Sequence, residues 1–334
     1  MMRRGGRQHG TSLIELMVSI SLGLVVIGAS GSLFLGASQN YREDERRAQM
    51  TDDAGFALSQ LVQELEMAGF WAQVHDPGMV QRHGSLAVAA DCGPPAAAWT
   101  YADLSPLAVL DNVTAAGAAM AHACLAADEV RPGTDVLAVK RLVGRASGTD
   151  ADATRLVTGT PYLRTAGLAG LLYLRGTTAF LPVPAPYQDW EYRVALYYIR
   201  DFTLTATESP REPSLCRQVL RASAGQPAYV AECLAQGIEN LQVEVGVDTD
   251  EDGAANRFEV APDAADLARA VTLRLYLLAR SSRPDSDYTD ARTYQVGNAP
   301  AFEPAGNDAH YYRTTLATEV VLRNPRSLQG LAVQ

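Results

Sequence analysis

The residues best suited to chemistry are four acids in one short run. Asp248, Asp250, Asp252 and Glu259, with Gly253 and Asn256 among them, read D-x-D-x-D-G-x5-E. This is the full calcium-loop pattern. Alternating acids converge their oxygens on one point, and Gly253 permits the sharp turn between them. The Ala254 carbonyl would add a backbone ligand, Asn256 a side-chain one, and Glu259 would close the shell with two oxygens. Calcium (Ca2+) is therefore the expected cofactor. A strand-like run precedes the loop, so the loop is expected without a flanking helix pair. An acidic, solvated turn between strands fits the same residues.

A fifth carboxylate stands apart. Glu15 is the one charged residue in the apolar run from Leu13 to Ala37. As a helix that run spans roughly 37 Å, enough to cross a bilayer with some tilt. A carboxylate inside it costs a few kcal/mol unless paired. Its charge suits the positive N-terminal end of a helix, and a free amine one turn earlier would pair with it. Arg3, Arg4 and Arg7 precede the run, and the acidic excess follows it. That asymmetry orients an anchor with its N-terminus inside and the bulk of the chain outside. Gly28, Ser32 and Gly36 recur every four residues, a spacing that lets helices approach closely in lipid and that is also ordinary for an anchor.

Other chemistries lack a positive feature. There is no HExxH, no phosphate-binding glycine loop and no GxSxG, and His9, His75, His83, His122 and His310 are scattered. No enzymatic activity is expected. The formal charge of −10 argues against nucleic acid as a partner, since phosphate neutralisation needs a basic face. Cys92, Cys124, Cys216 and Cys233 lie on the expected outer side, where disulfides persist. Their spacing contains no CxxC, so zinc is disfavoured. A hairpin turning at Ala224-Gly225 would set Cys216 opposite Cys233, which leaves Cys92 for Cys124; free buried thiols are the other possibility.

These groups need elements to carry them. Ala54, Leu58, Leu61, Val62, Leu65 and Ala68 continue a helical stripe beyond the apolar run, so one helix is expected from about Ser12 to Ala68, ending at Gly69. Residues 73–133 are rich in Ala, Gly and Pro and read as loops. Strand signals follow at 136–139, 171–174, 192–199, 241–247, 271–275 and 319–323. A helix followed by strands in sequence reads as α+β with an antiparallel meander.

The stretch Gly10-Thr11-Ser12-Leu13-Ile14-Glu15-Leu16-Met17-Val18 resembles the prepilin cleavage and methylation motif of type IV pilins and type II secretion pseudopilins. The resemblance implies cleavage between Gly10 and Thr11 by a membrane peptidase, methylation of the new terminus, and an assembly role for Glu15. The family most often has phenylalanine after the cut; Thr11 departs from it. Met67-Ala68-Gly69-Phe70, Gly237 to Val243, Gly246 to Asp250 and Leu322-Arg323-Asn324 look like the PilW family of minor pilins. The implied plan is a leader over 1–10, a transmembrane assembly helix over 11–37, its amphipathic continuation over 38–69, and a β-rich globular domain over 70–334. This is a type IV pilin-like fold: a long helix packed on an antiparallel β-sheet with large loop insertions. The implied role is pilus initiation, with the prepilin peptidase, other minor pilins, the major pilin and the inner-membrane assembly platform as partners. The implied location is the inner membrane, crossed once, with the bulk of the chain in the periplasm and later on the cell surface. A minor pseudopilin, or an anchored envelope enzyme or adhesin, remains the alternative.

Overall fold

The computed structural model describes residues 12–74, 76–84, 86–93, 98–102, 104–149, 155–176 and 186–324. Its residues group into two units, Met1–Ala48 and Gln49–Gln334. Helix α1 runs from Leu13 to Glu66. Ser12 starts it as an N-cap: its Oγ accepts the Glu15 N–H at 3.2 Å and its carbonyl accepts the Leu16 N–H, satisfying donors that a helix start leaves unpaired. In the first unit the apolar side chains of α1, Leu13, Ile14, Leu24 and Phe34 among them, are exposed. That stretch is long and apolar enough to cross a membrane.

In the second unit the same helix reverses its relation to solvent. Met50, Ala54, Ala57, Leu61, Leu65 and Ala68 are buried, with Leu58 and Val62 packed beside them. The expected stripe is thus the buried face, with Ala57 carrying part of it and Leu58 and Val62 on its flanks. Gly69, at φ 69°, turns the chain away. Its N–H donates to the Lys140 carbonyl, and the Asn324 amide donates to the freed carbonyls of Glu66 and Ala68.

Among the described residues, nine strands form the first sheet. They are β1 (Val80–Arg82), β2 (Leu107–Val113), β3 (Thr134–Leu142), β4 (Gly148–Thr149), β5 (Pro161–Ala166), β6 (Ala169–Leu174), β7 (Gln188–Arg200), β8 (Ser214–Ser223) and β9 (Gln226–Gln236). The main path is β1-β6-β5-β7-β3-β2, with β4 and β8 also on β7 and β9 on β8. The second sheet is β10 (Ile238–Val247), β11 (Arg257–Glu259), β12 (Ala270–Arg280) and β13 (Arg313–Val321), in the order β11-β10-β12-β13. The architecture is α+β, but the expected single meander is two sheets. The pair β1–β6 is parallel, a departure from the antiparallel expectation. Residues 73–133, read as loops, also hold β1, β2 and short helices at Trp99–Ala102 and Ala115–Ala121.

The period-2 alternation of strands divides the core. Leu137, Val139, Ala195, Tyr197 and Ile199 face a cluster shared with α1 and the second sheet. Their neighbours Ala138, Val194 and Leu196 face a second cluster with Trp71, Trp99 and Tyr192. Central strands covered on both faces have continuous apolar runs, which is why β3 is buried along its whole length.

Asp135 ties the two sheets together. Its carboxylate is fully buried and accepts the Asn112 N–H at 2.8 Å and the Val243 N–H at 2.7 Å, one from β2 and one from β10. Burial pushes its pKa up to about 7 against those two hydrogen bonds, and the nearby Asp111 charge pushes the same way.

Candidate assembly helix and cation loop

Glu15 sits in the first turn of α1, three residues after the Ser12 cap. It is exposed on a stretch whose other neighbours are apolar. Ser12-x-x-Glu15 is also a helix-start signature, which the apolar pattern alone had not revealed. Gly10 and Thr11, the expected processing pair, lie outside the described residues.

The acidic run forms the tip of the hairpin between β10 and β11. Val247 pairs with Arg257, Gly246 with Phe258 and Val245 with Glu259. Gly246 is required by this packing: a Cβ there would stand 2.3 Å from the Thr272 hydroxyl and 2.9 Å from Ala255 and Phe258. Asp248 is buried, and its two oxygens accept the N–H groups of Glu251 and Gly253, each at 2.7 Å. Burial opposes its charge, but the N–H groups of Gly253, Glu251 and Asp250 outweigh that and hold it below the usual carboxylate range. Glu251 and Gly253 take positive φ, 65° and 85°, which folds the loop back on itself.

The fold brings Asp248, Asp250 and Asp252 together, with one oxygen from each within 4.8 Å of the others. Hard carboxylate oxygens at that spacing suit calcium. The other expected ligands make contacts of their own. Asn256 Oδ1 accepts the N–H and hydroxyl of Thr249, at 2.6 and 3.0 Å. The Ala254 N–H donates to Asp252. The carboxylate of Glu259 pairs with Arg257, which also pairs with Asp266. The strand begins at Arg257, so residues 257 and 259 share a face, and the acid meets its neighbour on that face.

Both expected disulfides are present, Cys92–Cys124 and Cys216–Cys233. The second joins directly paired residues of β8 and β9 across the turn Ala224-Gly225, where φ is 49° and 78°. Two positive φ values in a two-residue turn match the twist of a hairpin, and the turn sets the register of the pairing.

The remaining motif residues build the fold. Gly237, at φ 72°, brings its backbone against Arg280; a Cβ there would be 2.5 Å from the Arg280 carbonyl oxygen. The carboxylate of Glu239 is buried and takes two hydrogen bonds from Arg313, at 2.7 and 3.2 Å, and one from Arg280 at 3.2 Å. Asp308 supplies the second anion, 2.8 Å from Arg313 and 3.2 Å from Arg280. Sequence reading missed this group because its four members come from separate segments.

The family described as Type IV Pilus-assembly protein W matches residues 196–324, a little over a third of the chain. A type IV-like pilin from Thermus thermophilus matches at 12% identity with a TM-score of 0.37, over 83% of this chain and 98% of that one; a likeness so distant carries no argument about function. No curated protein matches the chain. The matched span holds the Cys216–Cys233 hairpin, the buried Glu239 group, the acidic loop and the Asn324 contact with the end of α1. The family that the motifs resemble is thus the one matched from Leu196 to Asn324: PilW, the type IV pilus-assembly protein W family.

Proposed function

We propose that this chain is a minor pilin that takes part in starting type IV pili, in a tip or priming complex with other minor pilins. The observation that carries the reading is the PilW match on a chain whose α1 exposes an apolar stretch around a single acid, Glu15. A peptidase cuts after Gly10, and the new terminus at Thr11, its amine methylated or free, stands four residues before Glu15 in the sequence. In the inner membrane the arginine-rich leader stays inside and the second unit faces the periplasm. Apolar side chains of α1 meet lipid before assembly and neighbouring helices after it. Glu15 then offers its carboxylate to the terminal amine of the next subunit, a pairing that relieves the cost of a lone charge in hydrocarbon. Calcium would be held by Asp248, Asp250 and Asp252, with no shared role for Glu259 while it stays on Arg257.

The test combines processing with assembly. Mass spectrometry of the membrane-extracted protein should find Thr11 as the first residue, and Gly10→Arg should block that cut. Deleting the gene should strip the surface of pili. Restoring it as Glu15→Ala should leave cleavage intact yet reduce both pilus number and copurification with other minor pilins. Undiminished piliation in the deletion strain refutes the initiation role.

A further inference from the structure

An arginine-lined cleft of about 300 Å3 opens on the first sheet beside the C-terminal part of α1. Arg141, Arg193, Arg217 and Arg221 line it, together with Glu64 and Glu191. Arg141 and Arg193 stand directly opposite each other across β3 and β7. Like charges in that position repel, so the cleft needs anions. Glu64 supplies one, gripping Arg141 through two hydrogen bonds of 2.7 and 2.9 Å. Glu191 holds Arg193 by Nε alone, at 2.8 Å. Glu232, behind the lining, holds Arg217 and Arg221. With it counted, four guanidiniums face three carboxylates, a local positive surplus in a chain of net charge −10.

The surplus is available to solvent. Arg193 and Arg221 are about half exposed, at 45% and 52%. Among the described residues, the two Nη groups of Arg193 and the Nε and Nη2 of Arg221 meet no protein acceptor. The rim is held in place by backbone: Gly159, at φ 84°, packs so closely on the β8–β9 turn that a Cβ would stand 2.4 Å from the Gly225 carbonyl carbon. Val157 is an exposed apolar residue at the same edge.

We infer that this cleft receives a carboxylate side chain, Asp or Glu, presented by a partner protein. A planar carboxylate matches a guanidinium fork through two parallel hydrogen bonds. A phosphate dianion would meet the same forks but twice the repulsion from Glu64 and Glu191, which already occupy the cleft. Exposed Val157 beside partly engaged arginine forks suits a protein partner, since arginine is enriched where proteins meet. This inference rests on the second unit alone, which includes Glu64 of α1, and is independent of the reading of the exposed apolar part of that helix.

The test uses the full chain in detergent, with blocked tetraglutamate as probe and blocked tetraglutamine as control. Calorimetry should detect binding of tetraglutamate that weakens as salt is raised, and none of tetraglutamine. Arg193→Gln with Arg221→Gln should weaken that binding at least tenfold while leaving the melting temperature within a few degrees, because exposed ion pairs contribute little stability. Equal affinity in the double variant, or no binding to the wild type, overturns the inference. Inorganic phosphate displacing the peptide at equal concentration overturns the carboxylate preference.

Discussion

Replacing Glu239 by Ala should unfold the second sheet at far lower denaturant than the wild type requires. Glu239 and Arg313 are almost wholly buried, and Arg280 nearly so. In the native chain the guanidiniums of Arg280 and Arg313 face Glu239 and Asp308, and Asp290, held mainly by Arg292, stands 3.9 Å from Arg313. Removing Glu239 leaves both arginines to Asp308, which is partly exposed, and to Asp290, which Arg292 already holds, so one positive charge is left in excess. Breaking a buried pair in this way costs about 3–5 kcal/mol, a large share of a total stability of about 5–15 kcal/mol. At roughly 2–4 °C per kcal/mol for a domain of this size class, the melting temperature should fall by about 6–20 °C. Replacing both Glu239 and Arg313 with Met should recover part of the loss, because apolar side chains of similar volume need no partner.

The assay is urea unfolding of the full chain in detergent, followed two ways. The three tryptophans, Trp71, Trp99 and Trp190, pack together in the cluster on the first sheet and report that sheet. Hydrogen exchange at 238–247 and 270–280 reports the second. Exchange in those two strands should rise at least as much as the tryptophan signal shifts. A Glu239→Ala protein within 1 kcal/mol of wild type by both measures would show that water or Asp308 compensates the arginines, and would refute the account.

The geometry sets three further outcomes. With calcium at tenfold excess over its dissociation constant, linkage adds about 1.4 kcal/mol, so melting should rise a few degrees over chelator; Asp250→Ala should abolish the rise, and equal melting in both conditions reduces the loop to an acidic turn. Asp135 has a folded-state pKa of about 7, above the unfolded value of roughly 3.9, so its contribution to stability is fully present below the lower value and is lost as pH rises through the upper one; the difference in melting temperature between wild type and Asp135→Asn should therefore drift against the wild type from pH 5.5 to 8, and a flat difference rejects the assignment. Cys216→Ser with Cys233→Ser frees a loop of 17 residues and should cost about 3 kcal/mol by loop-closure entropy, read as a lower urea midpoint.

What was legible in the sequence was local. The stripe from Ala54 to Ala68 predicts the buried face of α1 because helical spacing alone decides which side chains share a side. The Cys216–Cys233 pair was legible because a two-residue turn dictates register along the whole hairpin. Strands β3, β7, β10 and β12 were found by their apolar content, but alternation marks faces and not partners. Nothing in Val80–Arg82 announces a parallel pairing with residues 170–172, some 90 positions on. The Glu239 group and the arginine cleft were hidden for the same reason: their members meet only after distant strands have paired.

The acidic loop shows how a motif and a fold divide the same residues. As a pattern, 248–259 is a complete ligand set. In the folded chain its last three residues are strand β11, and strand period takes precedence over motif register: Glu259 leans on Arg257, while the three aspartates remain clustered at the tip. The motifs that point to the family behave alike. Gly69 and Asn324 close the end of α1, Gly237 lets β10 approach Arg280, Glu239 anchors Arg313, and Gly246 seats the hairpin. Each answers a packing demand inside the second unit. Positions of this kind set how the second unit folds, and they leave the recognition of particular partners to other surfaces. The exposed arginine forks of Arg193 and Arg221 are such a surface, and neither side chain is among the positions that build the fold in this way.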